Sequence, residues 1–353
     1  GENHPAYASS ISNLAELYTN IGDYDKAEQL YMQAMEIRKK TVGMNHTDYS
    51  SSLNDLATCY ETMGLYDKAE KLFLESKERT ARALGEQHPF YITTLNNLAA
   101  LYFDRGSYEQ AEPLYQQALE LRKKTLSEQH PSYALSLNNL GTLYFAIGQF
   151  EKAALFFRKA LDIRKAVYGE KHFDYANSLN DLAAVYEKQK QFDQAEKLYL
   201  QAMGIRRMVY GENHNDYATS MNNLASLYVN TGQYRRAEEL VLAANAIWKK
   251  NLSDNNPIIA LGLNNLAAVY RKWQVKPQQA EQLYLGSIEK RNKILGADHP
   301  LTASTENDLA LLYMNLERYD EAEPLLLSSS GKTTRSLQAS FPVLSEKEKS
   351  AFI

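Results

Sequence analysis

The 353-residue sequence predicts an all-α solenoid of stacked helix pairs, and three observations carry that prediction. A single 42-residue pattern recurs eight times, from Gly1, Gly43, Gly85, Ser127, Gly169, Gly211, Ser253 and, after a one-residue insertion, Gly296. Each copy holds two apolar patterns with the three- and four-residue spacing of a helix face. Turn signals separate the two patterns and separate each copy from the next. A period of this length marks a stack in which every copy buries its apolar face against its neighbours. The repeats are expected to fill residues 1–327, the last one incomplete, leaving 328–353 as a linker and a C-terminal capping or linker helix.

In the first repeat, Tyr7, Ile11, Leu14, Tyr18 and Ile21 mark one helix, and Ala27, Leu30, Tyr31, Ala34 and Ile37 mark the second. Gly22, Gly64, Gly106, Gly148 and Gly232 follow the first helix of their repeats, where a left-handed residue ends it. The second helix closes on cations such as Arg38-Lys39-Lys40 and Arg122-Lys123-Lys124, which complement the negative end of the helix dipole. His-Pro then opens the next helix, with Pro in the first turn, where its missing N–H costs nothing. Within the first helix, Leu fills one column from Leu14 to Leu309 and Tyr fills another from Tyr18 to Tyr313. Ala fills a second-helix column from Ala27 to Ala322. These columns read as core, with the small residue admitting a close helix approach.

The spacing Leu14-Ala15-x-x-Tyr18-x-x-x-Gly22-x-Tyr24-x-x-Ala27-x-x-x-Tyr31-x-x-Ala34 resembles the tetratricopeptide repeat (TPR) over nearly the whole chain. The commonest such repeat has about 34 residues. This longer form resembles the repeats of kinesin light chains and of many bacterial multi-repeat proteins. The resemblance implies a right-handed superhelix whose concave face, lined by the first helix of each pair, binds peptides or helices of partner proteins.

Two places leave the pattern. Lys272-Trp273-Gln274-Val275-Lys276-Pro277 carries the insertion and lacks the turn glycine, so a local kink is expected there. Ser328-Ser329-Ser330-Gly331-Lys332 is expected to stop the last helix. Beyond it, Ser345 and Glu348 form a capping-box pattern for a new helix. That tail resembles the segment joining TPR arrays to a caspase-like CHAT protease domain in bacterial proteins. Gly1 opens a repeat and Ile353 ends an unfinished helical segment, so the sequence reads as a piece of a longer protein.

The totals restrict function. A formal charge of −4 and a pI near 6.1 do not favour nucleic acid, which selects a basic face. No apolar run is long enough for a membrane span. The lone Cys59 suits a reducing, cytoplasmic setting. It stands in a column of Leu and Val and reads as a core hydrophobe, not a nucleophile. His4, His46, His88, His130, His172, His214 and His299 share one column, but stacked repeats lie about 8–10 Å apart. Ligands of one zinc lie about 2 Å from it, so these histidines read as helix starters and no metal is expected. Neither a cofactor nor a catalytic set is expected, and the chain is not read as an enzyme.

Candidate partner-binding residues come from the first helices. One column reads Asn54, Asn96, Asn138, Asn180, Asn222 and Asn264; the adjacent one includes Asn97 and Asn139. Asn is a middling helix former, and an amide offers the donor and acceptor that a peptide backbone needs. The resemblance places the first column on the concave face. Binding a partner and bonding between adjacent helices remain alternative readings of these amides. Further along that helix, variable positions offer selectivity: Phe103 and Phe145 as apolar anchors, Glu61 and Asp104 as an acidic stretch, and Glu187, Lys188 and Arg271. Glu61 and Asp104 make the early groove acidic, and Lys188, Arg271 and Lys272 make the later part more basic. The expected partner is a protein or peptide with a basic or polar stretch and an apolar anchor. The protein is read as a monomeric interaction array, with a kinesin-light-chain-like cargo adaptor and a self-assembling scaffold as alternatives.

Overall fold

The structure, a computed structural model, describes residues 4–340. The described residues form sixteen α-helices and no strand. They fall into two compact units, one within residues 4–167 and the other Tyr168–Ala339. The first unit holds α1 (Pro5–Ile21), α2 (Tyr24–Thr41), α3 (Thr47–Thr62), α4 (Tyr66–Leu84), α5 (Pro89–Asp104), α6 (Tyr108–Thr125), α7 (Pro131–Ala146) and, up to Val167, α8 (Phe150–Tyr168). The second holds α9 (Phe173–Lys188), α10 (Phe192–Tyr210), α11 (Asn215–Asn230), α12 (Tyr234–Asn251), α13 (Pro257–Trp273), α14 (Pro277–Leu295), α15 (Pro300–Asn315) and α16 (Tyr319–Ser340). Within each unit, odd-numbered helices pack on the even ones that follow, and those on the next odd ones; α7 meets α8 in an apolar cluster that includes Leu137 and Ile163, and α15 meets α16 through Glu306 and Lys332.

The turns form as the glycines require. Gly22, Gly64, Gly106, Gly148 and Gly232 have φ between +71° and +85°, the left-handed region that side chains resist. Where the glycine is missing, Lys190, Gln274 and Glu317 take the same region with φ of 58–59°. The turn of the seventh repeat differs from the others by its inserted residue. Val275 donates to the Tyr270 carbonyl at 3.1 Å, as Gln233 does to Tyr228 at 2.8 Å, so the inserted residue is Lys276, with φ of +50°.

Helix starts confirm the structural reading of the histidines. Each of the seven accepts, through Nδ1, the N–H two residues on at 3.1–3.2 Å. Asn256 does the same in the seventh repeat, at 3.0 Å. These are N-caps.

The repeated columns form the core and its polar seams. Leu56, Leu98, Leu140, Leu182, Leu224, Leu266 and Leu309 are buried, and so is every Ala from Ala27 to Ala322 in the second-helix column. Leu14, in the same column, is 41% exposed. Cys59 is buried, and burial pushes its thiol pKa up. The tyrosine column does more than fill space. Tyr60, Tyr102 and Tyr144 donate to Glu28, Glu70 and Glu112 of the preceding repeat at 2.6–2.8 Å. Tyr228, Tyr270 and Tyr313 do the same with Glu196, Glu238 and Glu281 at 2.7–2.9 Å.

One expectation is overturned. The Ser328–Lys332 stretch does not stop the last helix, because α16 runs on to Ser340. Ser329 stands in the column of Ala34, Ala118 and Ala160 and is buried like them, while Lys332 reaches a buried partner, Glu306. The polar letters therefore satisfy one another inside the packing. The pattern at Ser345 and Glu348 lies outside the described residues.

Candidate partner-binding surface

The asparagine columns sit deeper than an open binding ladder would. Asn54, Asn96 and Asn180 are only 5, 8 and 6% exposed, and Asn138, Asn222 and Asn264 are half-buried. Asn54 Nδ2 donates to Thr94 of the next repeat at 2.8 Å. Asn139 donates to Asn96 at 2.7 Å and Asn265 to Asn222 at 2.8 Å, so the second column bonds back to the first across neighbouring repeats. Asn138 accepts from Arg164 at 3.1 Å, and Asn180 donates to the Ala176 carbonyl at 3.1 Å. Asn97 is half-buried. The columns thus tie repeats together, which is the inter-helix bonding that was one of the two readings of these amides. The Oδ1 atoms of Asn54, Asn180 and Asn264 are buried without a hydrogen-bond partner among the described residues.

The aromatic anchors are partly spoken for. Phe103 is half-buried against Tyr108 of its own repeat, with ring centroids 5.6 Å apart, and Phe145 against Phe150, also at 5.6 Å. The opening residue of the following helix covers one face of each.

Glu61 and Asp104 are the most distinctive members of the set. Asp104 is exposed and Glu61 half-buried, its Oε1 buried without a hydrogen-bond partner among the described residues. Burial first, and the Asp104 charge second, push the Glu61 pKa up to about 8. Tyr66 and Tyr115 feel both carboxylates, which places the two acids in one tyrosine-lined recess. The nearby guanidinium, Arg105, is already paired with Asp67 and Glu70 at 2.9 and 2.8 Å.

In the second unit the charges are less available. Glu187 accepts from Tyr199, Ser226 and Asn230 at 3.1, 3.4 and 2.6 Å. Arg271, 11% exposed along its side chain, holds Asp308 at 3.1 Å and Tyr284 at 3.2 Å. The basic character expected there from Arg271 is therefore neutralised, while Lys188 is exposed.

Sequence reasoning missed one seam altogether. The arginines read as dipole partners instead reach into the next repeat. Arg38 donates to Ser52 at 2.7 Å, Arg122 to Ser136 at 2.8 Å and Arg206 to Ser220 at 2.9 Å, and Arg291 bonds Thr305. The signal was an arginine column followed, fourteen residues on, by a Ser or Thr column.

A helix-pair stack joined by such seams, with recessed polar groups on its first helices, defines a repeat scaffold of the protein-interaction class. One tetratricopeptide repeat model matches residues 48–124, 90–166, 156–207, 174–250 and 258–330, and another matches 8–48. The chain belongs to the tetratricopeptide repeat family. Among solved structures, BtubC (BKLC) from P. vanneervenii is 26% identical at a TM-score of 0.51, over 66% of this chain and 92% of that one. A putative kinesin light chain of Podosopora anserina with nearly identical TPR-like repeats is 27% identical at a TM-score of 0.48, over 58% and 97%. A Rap protein complexed with competence and sporulation factor shares 16% identity at a TM-score of 0.60, over 94% and 99%. No match was found among curated proteins. No helix among the described residues is long and apolar enough to cross a membrane.

Proposed function

We propose that this array binds an extended segment of a partner protein along its first-helix face, and that in the first unit it selects a basic side chain. The observation that carries this reading is the Glu61–Asp104 recess. Among the described residues neither carboxylate has a hydrogen-bond or ion-pair partner, and burial without one favours the neutral form of Glu61, a cost that a partner's cation would offset. A Lys or Arg from a partner supplies that cation. Phe103 and Tyr108 beside it offer an apolar rim, and the unpartnered amide oxygens of Asn54, Asn180 and Asn264 are acceptors for a partner's N–H groups. Asn96, Asn138, Asn222 and Asn139 order the stack beneath.

The setting belongs to the same reading: the recognition or regulatory part of a larger, cytoplasmic bacterial protein, such as one carrying a CHAT protease domain. The short tail resemblance around Ser345 and Glu348 and the single cysteine support it. The parent gene's residues after Ile353 decide the domain context.

An array of immobilised peptides tests the groove. The wild-type protein is expected to capture a subset enriched in Lys or Arg, and Glu61→Gln with Asp104→Asn to lose that enrichment. Asn96→Ala, Asn138→Ala and Asn180→Ala combined test the amide columns. Unchanged capture by both variants, with helicity intact by circular dichroism, would reject the reading.

A further inference from the structure

A second site lies where the sixth and seventh repeats of the second unit break the pattern together. In the five preceding repeats the second residue of the second helix is acidic: Asp25, Asp67, Glu109, Glu151 and Asp193. In the sixth repeat it is Arg235. At the end of α13, just before the irregular turn, Trp273 stacks on Tyr234, with centroids 6.2 Å apart and planes at 23°. Those rings, with Gly232, Gln233, Arg235 and Arg236, line a cavity of about 340 Å³.

Neither ring is consumed by the core. Both are half-buried, whereas Trp248 is 1% exposed. The two arginines differ in kind. Arg236 lies over the Tyr228 ring at 4.0 Å and donates to the Tyr228 hydroxyl and to Gln233, both at 2.5 Å, so it is a fixed wall. Arg235 is exposed and makes no hydrogen bond or ion pair among the described residues. The neighbouring carboxylate, Glu238, feels the Arg235 charge but bonds Lys276 at 2.5 Å and Tyr270 at 2.8 Å, which leaves the Arg235 guanidinium without a bonded partner among the described residues.

We propose that this cavity docks a partner segment in which a carboxylate adjoins an aromatic side chain. The ring packs on Tyr234 and Trp273, and the carboxylate pairs with Arg235. Charge complementarity sets the sign of the partner. A planar guanidinium matches a carboxylate in two parallel hydrogen bonds, and aromatic anchors in a pocket carry most of an interface's energy. Nucleic acid fits less well, because it needs several phosphates neutralised at once and the chain carries a net charge of −4. The site is independent of the Glu61–Asp104 recess.

The test is titration of Trp fluorescence with the capped pentapeptide Glu-Glu-Phe-Glu-Glu. Its Lys-Lys-Phe-Lys-Lys and all-Glu counterparts, and a single-stranded oligonucleotide, serve as comparisons. The acidic aromatic peptide is expected to bind saturably and better than all three. Arg235→Asp, which restores the residue type of the earlier repeats and so keeps the fold, is expected to weaken it about tenfold. Trp273→Leu, followed by calorimetry, is expected to do the same, and Glu61→Gln to change nothing. Absence of saturable binding overturns the proposal, as does binding that Arg235→Asp leaves intact. Tighter binding of the oligonucleotide, or concentration-dependent self-association that Arg235→Asp abolishes, overturns it in favour of a nucleic acid or a second copy.

Discussion

Glu306 of α15 forms a buried ion pair with Lys332 of α16 at positions that most other repeats fill with an apolar pair. Glu306 stands in the column of Ile11, Leu53, Leu95, Leu137, Leu179, Met221 and Leu263. Lys332 stands in that of Ile37, Leu121, Ile163, Ile205 and Ile247. Leu137 and Ile163 share one apolar cluster, as do Ile11 and Ile37. The last repeat thus substitutes a charge pair, supported by Ser328 at 3.0 Å from Glu306, for its own hydrophobic contact.

Removing one partner is expected to cost far more than removing both. Lys332→Met strands a buried carboxylate and should destabilise the last repeat by about 3–5 kcal/mol. Glu306→Leu with Lys332→Ile should leave stability unchanged or raise it by about 1–4 kcal/mol. Amide hydrogen exchange in α15 and α16 reads this locally. Equal loss of protection in the single and double variants would refute it.

The same pair shows where the sequence was readable and where it was not. Periodicity revealed the helix pairs, the αL turns and the capping histidines, because each depends on a residue and its near neighbours. Ser328–Lys332 misled, since a helix stop was judged from polar letters whose partner, Glu306, lies 26 residues away from Lys332. The burial of Asn54 and Asn96 was not legible in the sequence for a similar reason. Their burial is set by neighbours a full repeat away, Thr94 and Asn139. Arg38 and Arg122 were read locally, as dipole partners, and proved to be bridges.

Glu61 sets a pH dependence of definite sign. Its folded pKa, about 8, lies above the ordinary glutamate value of 4.5, so folding favours the protonated acid. Stability from this group is full below the ordinary value and is lost as pH rises through about 8. Glu61→Gln, which mimics the neutral acid, should therefore stabilise the protein at pH 9 and change little at pH 4. Urea midpoints for both proteins across that range are the measurement, and parallel profiles would contradict the assignment.

The arginine seam should behave as a coupled pair. Arg122 is 5% exposed, and burial lowers its pKa to about 10. Ser136→Ala deprives this buried cation of a hydrogen bond and should cost about 1–3 kcal/mol. Arg122→Met with Ser136→Ala should cost less than the two singles together, because the charge leaves with its partner. The chain already contains such an exchange: Trp248 occupies the arginine column, and Gly262 occupies the serine column. Strict additivity in a double-mutant cycle would dismiss the coupling.

The histidine caps invite a substitution that the protein itself supplies. At His88, Nδ1 receives the Phe90 N–H at 3.2 Å; in the seventh repeat the Asn256 side chain receives that of Ile258 at 3.0 Å. His88→Ala should cost about 1 kcal/mol, and His88→Asn should recover most of it. His299 adds a titration. Burial, then the Arg291 charge, lowers its pKa below 6.5. Folding therefore favours the neutral ring, the form whose Nδ1 can accept. That stabilisation is present above the unfolded value and is lost as pH falls through the lower folded one. His299→Asn keeps the acceptor without the proton, so thermal midpoints should show a smaller drop from pH 7 to pH 5 than the unaltered protein shows. An equal drop would mean that the acid sensitivity of the fold resides elsewhere.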